Sequence, residues 1–421
     1  MTAALDLAQW LRPGDRVTWG QACGEPATLV ELLVAQADRI GGVSCFVGIP
    51  AASALTRDSL PDRLTVHSYC GSGTNAGLFD RGRLQVWPVH YSALPGLLAG
   101  GAFAVDAVLV QVSAPDEHGR HSLGLGDDYF SAALDTARVV IAEVNDQVPF
   151  TLGSRTLTAE DWTVAIRTSR APGEIATAAA SADSVAVARR VAGLVPDGAT
   201  LQFGIGALPE AVLGELFDHR DLGVHSGIVN DTAMRLVESG VANGSRKTRD
   251  RGVAVGGLLG GTSALFRWAH RNPAVELRPT AYTHDPDVLA SSHRLVAVNS
   301  AIEVDLTGQV NAETAAGRYV GAVGGAVDFL RGAARSAGGV PVVALPSTAR
   351  SRGAVAHRIV ERLTGPVSTP RSEGIVVVTE HGVADLRGAT VTQRVERMIA
   401  VAHPDHRAEL DASADRALAS A

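Results

Sequence analysis

The chain has 421 residues, of which 46% are hydrophobic and 19% are charged; this balance is typical of globular proteins, and the length favours two domains. Its 37 Lys and Arg residues against 44 Asp and Glu residues give a net charge of -7, and no basic run carries interleaved aromatics, which argues against nucleic acid as the main partner. No apolar run reaches about 18 residues, so we expect no membrane span.

The start of the chain and its cysteines indicate the compartment. Residues 1–7 lack the charged and apolar segments of a signal peptide. Cys23, Cys45 and Cys70 form no CxxC pair, and three thiols without a framework are typical of a reducing environment. We therefore expect a cytoplasmic protein without a metal site.

Strand-like and helix-like patterns alternate along the chain, and part of the pattern recurs. Residues 13–20 lead through Gly24-Glu-Pro26 into an amphipathic run, as residues 196–204 lead through Gly206 and Pro209 into another, and both proline pairs are 13 residues apart (26 − 13 and 209 − 196). Two further strand-like stretches, 108–114 and 296–301, match at nearly the same offset. Chance similarity is one explanation, but duplication is favoured.

The alternation and the repeat together predict an α/β fold. We expect two tandem open α/β domains of similar topology with parallel sheets, spanning residues 1–184 and 185–421. The boundary is placed near the Ala- and Ser-rich stretch 176–184.

The second half contains a strand, a glycine turn and a helix around Gly204-Ile-Gly206. Strand ends in open α/β sheets are where ligands bind, and a helix start offers free N–H groups to an anion. The dinucleotide fingerprint is incomplete because Pro209 occupies its third small position, and no P-loop motif occurs. Ordinary turn chemistry is the alternative explanation for each glycine taken singly.

Several polar residues are candidates for catalysis. His225, Ser226 and Asp231 suggest a triad, but neighbours in an extended segment point to opposite faces. Glu303 and Asp305 are two residues apart in a strand-like stretch, so they are either a base and its helper or a solvated turn. The glycine-rich segment 252–261 is expected to be flexible.

With these residues identified, the chain resembles the acetyl-CoA hydrolase/transferase family, which includes class I enzymes similar to 4-hydroxybutyrate CoA-transferase. The resemblance runs over nearly the whole chain. It is carried by Gly24-Glu-Pro26, Pro88-Val-His-Tyr-Ser-Ala-Leu-Pro95, Gln111-Val-Ser-Ala-Pro-Asp-Glu-His-Gly119, Gly204-Ile-Gly206, Leu222-Gly-Val-His-Ser226, Asn299-Ser-Ala-Ile-Glu-Val-Asp-Leu-Thr-Gly308, Gly324-Gly-x-x-Asp328-Phe329 and Glu380-His-Gly-Val-Ala-Asp-Leu-Arg-Gly388.

The resemblance implies a CoA-transferase-like fold with the active site between two domains, and acyl-CoA as substrate with no tightly bound cofactor. Family members typically pass CoA between carboxylic acids through a glutamyl-CoA thioester. Asn299 and the turn near Gly324 would face the thioester, and backbone N–H groups would stabilise the oxyanion. The glycines expected to contact CoA are Gly204, Gly206, Gly321, Gly324 and Gly325. A homodimer is expected, since most soluble oligomers are symmetric dimers.

One position departs from the family pattern. The family segment reads His-Ser/Thr-Glu followed by Ser-Asp, whereas this chain reads His225-Ser226-Gly227 followed by Asn230-Asp231. Gly227 therefore stands where the resemblance places the nucleophilic glutamate, and a glycine cannot form an acyl-glutamyl anhydride.

Three hypotheses follow from this departure. The enzyme hydrolyses a small acyl-CoA, or passes the acyl group directly to an acceptor, with His225, Asp231 or Glu303 as base. Alternatively, another carboxylate such as Glu303 is the nucleophile of a CoA-transferase. The third hypothesis is a catalytically inactive acyl-CoA-binding protein. A nicotinamide-dependent oxidoreductase is disfavoured by the missing fingerprint.

Overall fold

The computed structural model describes residues 5–51, 53–56, 60–176, 179–351 and 354–419. The chain divides into two compact units that are each discontinuous in sequence. The first unit comprises Met1–Ala176, Ile228–Asp231 and Val255–Thr283, and the second comprises Thr177–Gly227, Thr232–Ala254 and His284–Ala421. The predicted division between residues 184 and 185 stays a prediction, and residues 177 and 178 of the predicted boundary stretch lie outside the described residues.

Helices and strands alternate as the sequence pattern predicts. The helices are α1 (Ala27–Ile40), α2 (Asn75–Asp80), α3 (Leu94–Ala99), α4 (Ala182–Ala192), α5 (Ala207–Gly214), α6 (Asp231–Glu238), α7 (Ser263–Ala269), α8 (Thr280–Thr283), α9 (Pro286–Ser291), α10 (Ala326–Arg335), α11 (Val391–Val401) and α12 (Pro404–Ala419). The strands are β1 (Arg16–Trp19), β2 (Val43–Val47), β3 (Leu64–Ser68), β4 (Leu84–Val86), β5 (Ala107–Val112), β6 (His121–Ser122), β7 (Val139–Asn145), β8 (Thr156–Leu157), β9 (Val164–Thr168), β10 (Thr200–Phe203), β11 (Gly223–Val224), β12 (Ile228–Val229), β13 (Ala254–Gly256), β14 (Leu258–Leu259), β15 (Val275–Leu277), β16 (Leu295–Ser300), β17 (Glu303–Asp305), β18 (Val310–Asn311), β19 (Thr314–Ala315), β20 (Arg318–Tyr319), β21 (Val340–Ala344), β22 (Thr348–Ser351), β23 (Ala354–His357), β24 (Ile359–Val360), β25 (Val376–Thr379) and β26 (Gly382–Asp385).

The first unit is built on a parallel sheet of seven strands in the order β4-β3-β2-β1-β5-β7-β9. All residues of β5 and β7 are buried. Such continuous burial means that both faces of the sheet are covered. The sequences of these strands, which are mostly valine and other apolar residues, suit a strand buried on both faces.

The second unit has a six-stranded sheet in the order β11-β10-β16-β21-β25-β26. Its first five strands are parallel, and β26 pairs with β25 in the antiparallel sense. Every residue of β25 is buried, as are all but the first residue of β21 and the last of β16. These strands form the centre of the second apolar core.

The two sheets share one strand order. The stretches matched at 13–20 and 196–204 contain β1 and β10, and those at 108–114 and 296–301 contain most of β5 and β16. In each unit the two matched strands are parallel neighbours. The sequence β2-β1-β5-β7-β9 thus corresponds to β11-β10-β16-β21-β25. The prediction of two α/β halves of similar topology is confirmed.

A buried carboxylate fixes the first long helix to the first sheet. Glu143 of β7 is fully buried, and its Oε2 accepts hydrogen bonds from the N–H groups of Thr28 (3.0 Å) and Leu29 (3.1 Å) in the first turn of α1. Its Oε1 accepts a 3.1 Å hydrogen bond from the Thr168 hydroxyl of β9. A negative group at the N-terminus of a helix accepts hydrogen bonds from N–H groups that have no partner within the helix, and it interacts favourably with the helix dipole.

The expectation of a flexible segment at 252–261 is wrong. This stretch forms β13 and β14, and residues 254–261 are all buried. A side-chain carbon at Gly256 would lie 2.7 Å from Val229, and one at Gly261 would lie 2.2 Å from Asp231. These glycines therefore permit close packing against Val229 of β12 and against Asp231, and they do not indicate a flexible backbone.

Two helices end at identifiable features of the backbone. The amphipathic run that follows Pro26 forms α1 and ends at Ile40, where Gly41 takes a left-handed conformation with φ of 96°. Near the end of the chain α11 and α12 are separate helices, because the chain is extended at Ala402 before Pro404 begins α12. Over the described residues, no helix combines the length and apolar character that crossing a bilayer requires.

Replacing Glu143 with glutamine should destabilise the fold. An amide has one acceptor oxygen, so either the α1 N–H groups or the Thr168 hydroxyl would lose its acceptor, at a cost of about 1–3 kcal/mol for a buried group. The change in the free energy of unfolding should be measured by urea titration followed by circular dichroism. Glu160→Gln, at an exposed position, is the matched control and should change stability by less than about 0.5 kcal/mol. Equal effects of the two substitutions would contradict the capping role.

Candidate functional site

The carboxyl ends of β10 and β16 bring the first candidate residues together. The strands pair in parallel with Phe203 opposite Val298, and the Gly204 N–H donates to the Val298 carbonyl oxygen at 3.1 Å. A side-chain carbon at Gly204 would lie 3.9 Å from Oδ1 of Asn299. Asn299 therefore lies against the glycine turn, as expected for groups at the ends of adjacent parallel strands.

Gln202 is a member of this group that sequence reasoning missed. Its Oε1 accepts a 3.0 Å hydrogen bond from Nδ2 of Asn299, and its Nε2 donates to Oδ1 of Asn299 at 3.4 Å. Both residues are buried, so the amide pair orients Asn299 firmly. The available signal was a polar residue inside an otherwise apolar strand, Thr200–Phe203.

The glycine turn opens onto the start of α5. Gly206 has φ of 114° and is the N-cap residue of α5, and no atom of the described residues lies within 4 Å of a side-chain carbon placed there. Pro209 is the third helical residue and has no N–H, so the first turn presents the N–H groups of Ala207 and Leu208. The turn can thus approach a ligand with its backbone.

His225 and Ser226 follow β11, and both are hydrogen-bonded to β10. The Ser226 hydroxyl donates to the Phe203 carbonyl oxygen at 3.0 Å, and the His225 N–H donates to the Leu201 carbonyl oxygen at 2.9 Å. Both residues are almost wholly buried. The hydroxyl hydrogen is used to tie the segment to β10, which favours a structural role for Ser226.

Gly227 is packed against an imidazole. A side-chain carbon at this position would lie 3.4 Å from Cε1 and 3.7 Å from Nε2 of His284, and 3.9 Å from Cε2 of Phe329. The rings of His284 and Phe329 are 4.6 Å apart at 55°. The place beside the bare backbone is thus lined by one imidazole and one apolar ring.

His284 is the second residue that sequence reasoning missed. It is 5% exposed, and burial, with a smaller contribution from the charge of His225, lowers its pKa from 6.5 to about 3. The imidazole is therefore neutral at pH 7. Asp285 caps α9 by accepting the N–H groups of Asp287 and Val288, which fixes the segment bearing His284. Nothing in the local sequence indicates that this histidine meets Gly227.

The turn before α10 presents unpaired backbone donors. Gly324 has φ of 57° and Gly325 is the N-cap residue of α10; both are half-buried. Among the described residues, neither of their N–H groups donates a hydrogen bond. The Phe329 N–H donates to the Gly325 carbonyl oxygen at 3.2 Å, so the ring beside Gly227 belongs to the first turns of this helix. Free donors at a helix start are suited to an oxyanion.

Gly321 has a different role from its neighbours. Its N–H donates to the Glu313 carbonyl oxygen at 2.9 Å, and a side-chain carbon there would lie 1.9 Å from the carbonyl oxygen of Ala312. The glycine permits two backbone segments to touch, and its donor is already used. This bonding favours a role in shaping the turn over direct contact with CoA.

The Glu303 carboxylate is held by several donors. It accepts hydrogen bonds from the Thr364 N–H (2.7 Å), the Thr364 hydroxyl (2.9 and 3.0 Å), the Gly365 N–H (3.1 Å) and Nδ2 of Asn311 (3.0 Å). Asp305 is likewise bonded to Thr307 and Gln309. Both carboxylates are buried. Such saturation stabilises a carboxylate and lowers its reactivity, which weighs against Glu303 as nucleophile.

Asp231 belongs to the first unit, whereas the candidates above belong to the second. Its carboxylate accepts the Thr262 N–H at 2.9 Å and the Thr262 hydroxyl at 2.7 Å. It thereby joins the start of α6 to the segment before α7. Burial raises the pKa of the nearby Cys23 thiol to about 11, so this cysteine is not a thiolate nucleophile at neutral pH. The described residues contain no cluster of three or more His, Cys, Asp or Glu arranged for a metal ion.

Comparison with known proteins identifies the family. The model of the acetyl-CoA hydrolase/transferase N-terminal domain matches residues 1–161, and that of the C-terminal domain matches residues 261–414. The chain is 37% identical over 399 residues to 4-hydroxybutyrate coenzyme A transferase of Clostridium kluyveri, covering 94% of this chain and 92% of that protein. The chain belongs to the acetyl-CoA hydrolase/transferase family.

Solved structures agree with this assignment. RipA from Yersinia pestis is 33% identical and superposes with a TM-score of 0.90, covering 97% of this chain and 95% of that chain. A 4-hydroxybutyrate CoA-transferase from Porphyromonas gingivalis is 34% identical with a TM-score of 0.81, at the same coverage. The protein is thus an enzyme of this family with a CoA-transferase-type fold, and it processes acyl-CoA. The roles of the individual residues stay predictions.

Two substitutions should distinguish Gly227, which has room for a side-chain carbon, from Gly321, where two backbone segments touch. Gly227→Ala adds a carbon at ordinary contact distance and changes the free energy of unfolding by less than about 1 kcal/mol. Gly321→Ala forces a carbon onto a carbonyl oxygen and should cost about 3 kcal/mol. Urea titration of both variants measures the difference. A strongly destabilised Gly227→Ala would show that the packing around His284 is tighter than described.

The buried imidazole should make stability depend on pH. Between pH 6.5 and about 3 the unfolded chain binds a proton at His284 that the folded chain does not, so stability falls as pH falls through this range. One such group contributes at most about 1.4 kcal/mol per pH unit. His284→Gln should therefore show a shallower loss of unfolding free energy from pH 6 to pH 4 than the unmodified protein. Identical slopes would mean that His284 is accessible to protons in the folded state.

Proposed function

We propose that this enzyme hydrolyses a small acyl-CoA, or passes its acyl group directly to an acceptor, without forming a glutamyl-CoA intermediate. The proposal rests on one observation above all: the backbone at Gly227 carries no carboxylate and lies against the neutral imidazole of His284. A carboxylate nucleophile is the group that the family resemblance places at this position. In this chain the nearest polar side chain beside that position is the imidazole of His284, whose neutral form can accept a hydrogen bond.

The polar groups of the second unit fit such a reaction. The thioester oxygen binds the N–H groups of Gly324 and Gly325, which stabilise the developing oxyanion. The amide pair of Asn299 and Gln202 orients the substrate at the neighbouring strand ends. Water or the acceptor hydroxyl occupies the space beside Gly227.

The chemical step needs no covalent enzyme intermediate. The nucleophile's oxygen attacks the thioester carbon, its proton passes to the imidazole of His225, and the C–S bond breaks as the tetrahedral intermediate collapses. The CoA thiolate then takes up that proton. With a pKa of about 3, His284 is a weak base, so it acts mainly by accepting a hydrogen bond that orients the nucleophile. His225 is the second imidazole in its vicinity.

Two alternative hypotheses make different demands on the same site. A CoA-transferase with Glu303 as nucleophile would need the carboxylate to leave the donors of Thr364, Gly365 and Asn311. An inactive acyl-CoA-binding protein would retain the same backbone donors and give no turnover. A homodimeric state and a cytoplasmic location stay predictions.

Incubation with acetyl-CoA tests the proposal. Thiol release, followed with a chromogenic disulfide with and without a carboxylic acid or alcohol acceptor, should proceed while the intact protein mass shows no CoA adduct. His284→Gln should lower kcat by about tenfold or more through loss of orientation, with little change in KM. Glu303→Gln tests the first alternative.

The outcomes are distinct for the three hypotheses. A protein mass increased by CoA that disappears in Glu303→Gln would establish the transferase mechanism and overturn the proposal. Binding of acetyl-CoA with no turnover in any acceptor would identify an inactive binding protein. Turnover that is unchanged in His284→Gln would remove His284 from the reaction.

A further inference from the structure

A cavity lies in the first unit, and its lining includes none of the residues proposed above for the acyl-CoA reaction. Its volume is about 490 Å³, within the range of small-molecule sites, roughly 300–1,000 Å³. Its floor is formed by the segments that follow β5, β7 and β9, including Pro115, Phe150 and Pro172. Carboxyl ends of parallel strands are the usual place of ligands in α/β sheets.

Its opposite wall comes from α7 and the two residues that follow it. Phe266, Arg267, His270 and Arg271 line the cavity. Phe266 and Phe150 are buried apolar surfaces, whereas the three basic side chains are exposed. The cavity therefore combines an apolar floor with a cluster of positive charge.

Phe150 holds two of the basic residues in place. Its N–H donates to Nδ1 of His270 at 3.1 Å, and its carbonyl oxygen accepts the Arg271 N–H at 2.8 Å. The Arg271 guanidinium lies 5.2 Å from the centre of the Phe150 ring, a cation–π distance. Because Nδ1 of His270 accepts, the neutral ring carries its hydrogen on Nε2 and is a donor there.

The guanidinium groups of this wall are not neutralised within the described part of the chain. There, neither Arg267 nor Arg271 forms an ion pair or a side-chain hydrogen bond. Asp146 also lines the cavity, and its Oδ1 accepts from Nε2 of Gln147 at 3.1 Å. Two unpaired guanidiniums at one cavity repel each other, and a dianion would remove this repulsion.

We propose that this cavity binds a phosphate monoester that bears an apolar or aromatic group. The phosphate dianion matches the two guanidinium charges and accepts the Nε2–H of His270. The organic group contacts Phe150, Phe266 and the prolines of the floor. Arginine suits phosphate because its planar fork donates two parallel hydrogen bonds.

Phenyl phosphate is the probe for a binding test on the full chain by isothermal titration calorimetry. The dissociation constant should rise at least tenfold in Arg267→Gln/Arg271→Gln. The matched control is Arg12→Gln/Arg63→Gln, which removes two arginines that precede β1 and β3 at the opposite edge of the same sheet and should leave binding unchanged. If the first double variant does not fold, Arg267→Gln alone should still weaken binding several-fold.

Titrations with other ligands identify the chemical class that the cavity binds. Phenol and inorganic phosphate should each bind at least tenfold more weakly than phenyl phosphate, and succinate binding as tightly would instead assign a dicarboxylate. Acetyl-CoA and its 3′-dephospho form, compared in the protein and in Arg267→Gln/Arg271→Gln, show whether the phosphate is that of CoA or of a separate compound. Undetectable binding of phenyl phosphate at millimolar concentration, or equal binding to both double variants, would overturn the proposal.

Discussion

The parallel register of β10 on β16 fixes the polar edge of the second sheet. Because Phe203 lies opposite Val298, the next residues on the two strands, Gly204 and Asn299, leave the sheet side by side. The hydrogen bond from Gly204 N–H to Val298 and the amide pair of Asn299 with Gln202 both depend on this register. A slip of one residue would turn Asn299 to the other face of the sheet, and the arrangement at the strand ends would be lost.

The second constraint on the structure is that several backbone segments lie in close contact with their neighbours, which glycine permits. At Gly321 the neighbour is a carbonyl oxygen, at Gly261 a carboxylate, and at Gly227 an imidazole. At Gly206 and Gly324, as at Gly41, positive φ is the reason for glycine. A sequence shows all of these as the same letter, so turn chemistry and close packing cannot be separated until the neighbours are known. This is why the segment 252–261 was wrongly expected to be flexible.

Much of the fold follows from the sequence because it depends on local pattern. Alternating strand and helix signals, and the match of 13–20 with 196–204, predicted two similar α/β halves, and β1 and β10 indeed occupy corresponding places in their sheets. The family was predicted from motifs spread over both halves and is confirmed. These features are set by residues close in the chain or by repeated spacing.

The site was less predictable because its neighbours are distant in sequence. His284 meets Gly227 across 57 residues (284 − 227), and Gln202 meets Asn299 across 97. The pattern around Glu303 correctly indicates two acidic side chains on one strand, but it cannot reveal the donors from Thr364 and Gly365 that surround one of them. Local spacing gives the face of a strand, whereas the partners of that face depend on tertiary packing.

Charge balance links Gly227 to His284. The imidazole has a pKa of about 3 because it is buried and because the nearby charge that acts on it is that of another histidine, His225. A glutamate introduced at position 227 would place its Cβ 3.4 Å from Cε1 of that ring, and a carboxylate that approaches the ring favours the protonated imidazole. The pair would then be a carboxylate bonded to an imidazolium, which is a weaker nucleophile than a free carboxylate. A glutamate introduced at 227 alone would therefore be a poor nucleophile, because the neutral imidazole and the bare backbone form one arrangement that must change together.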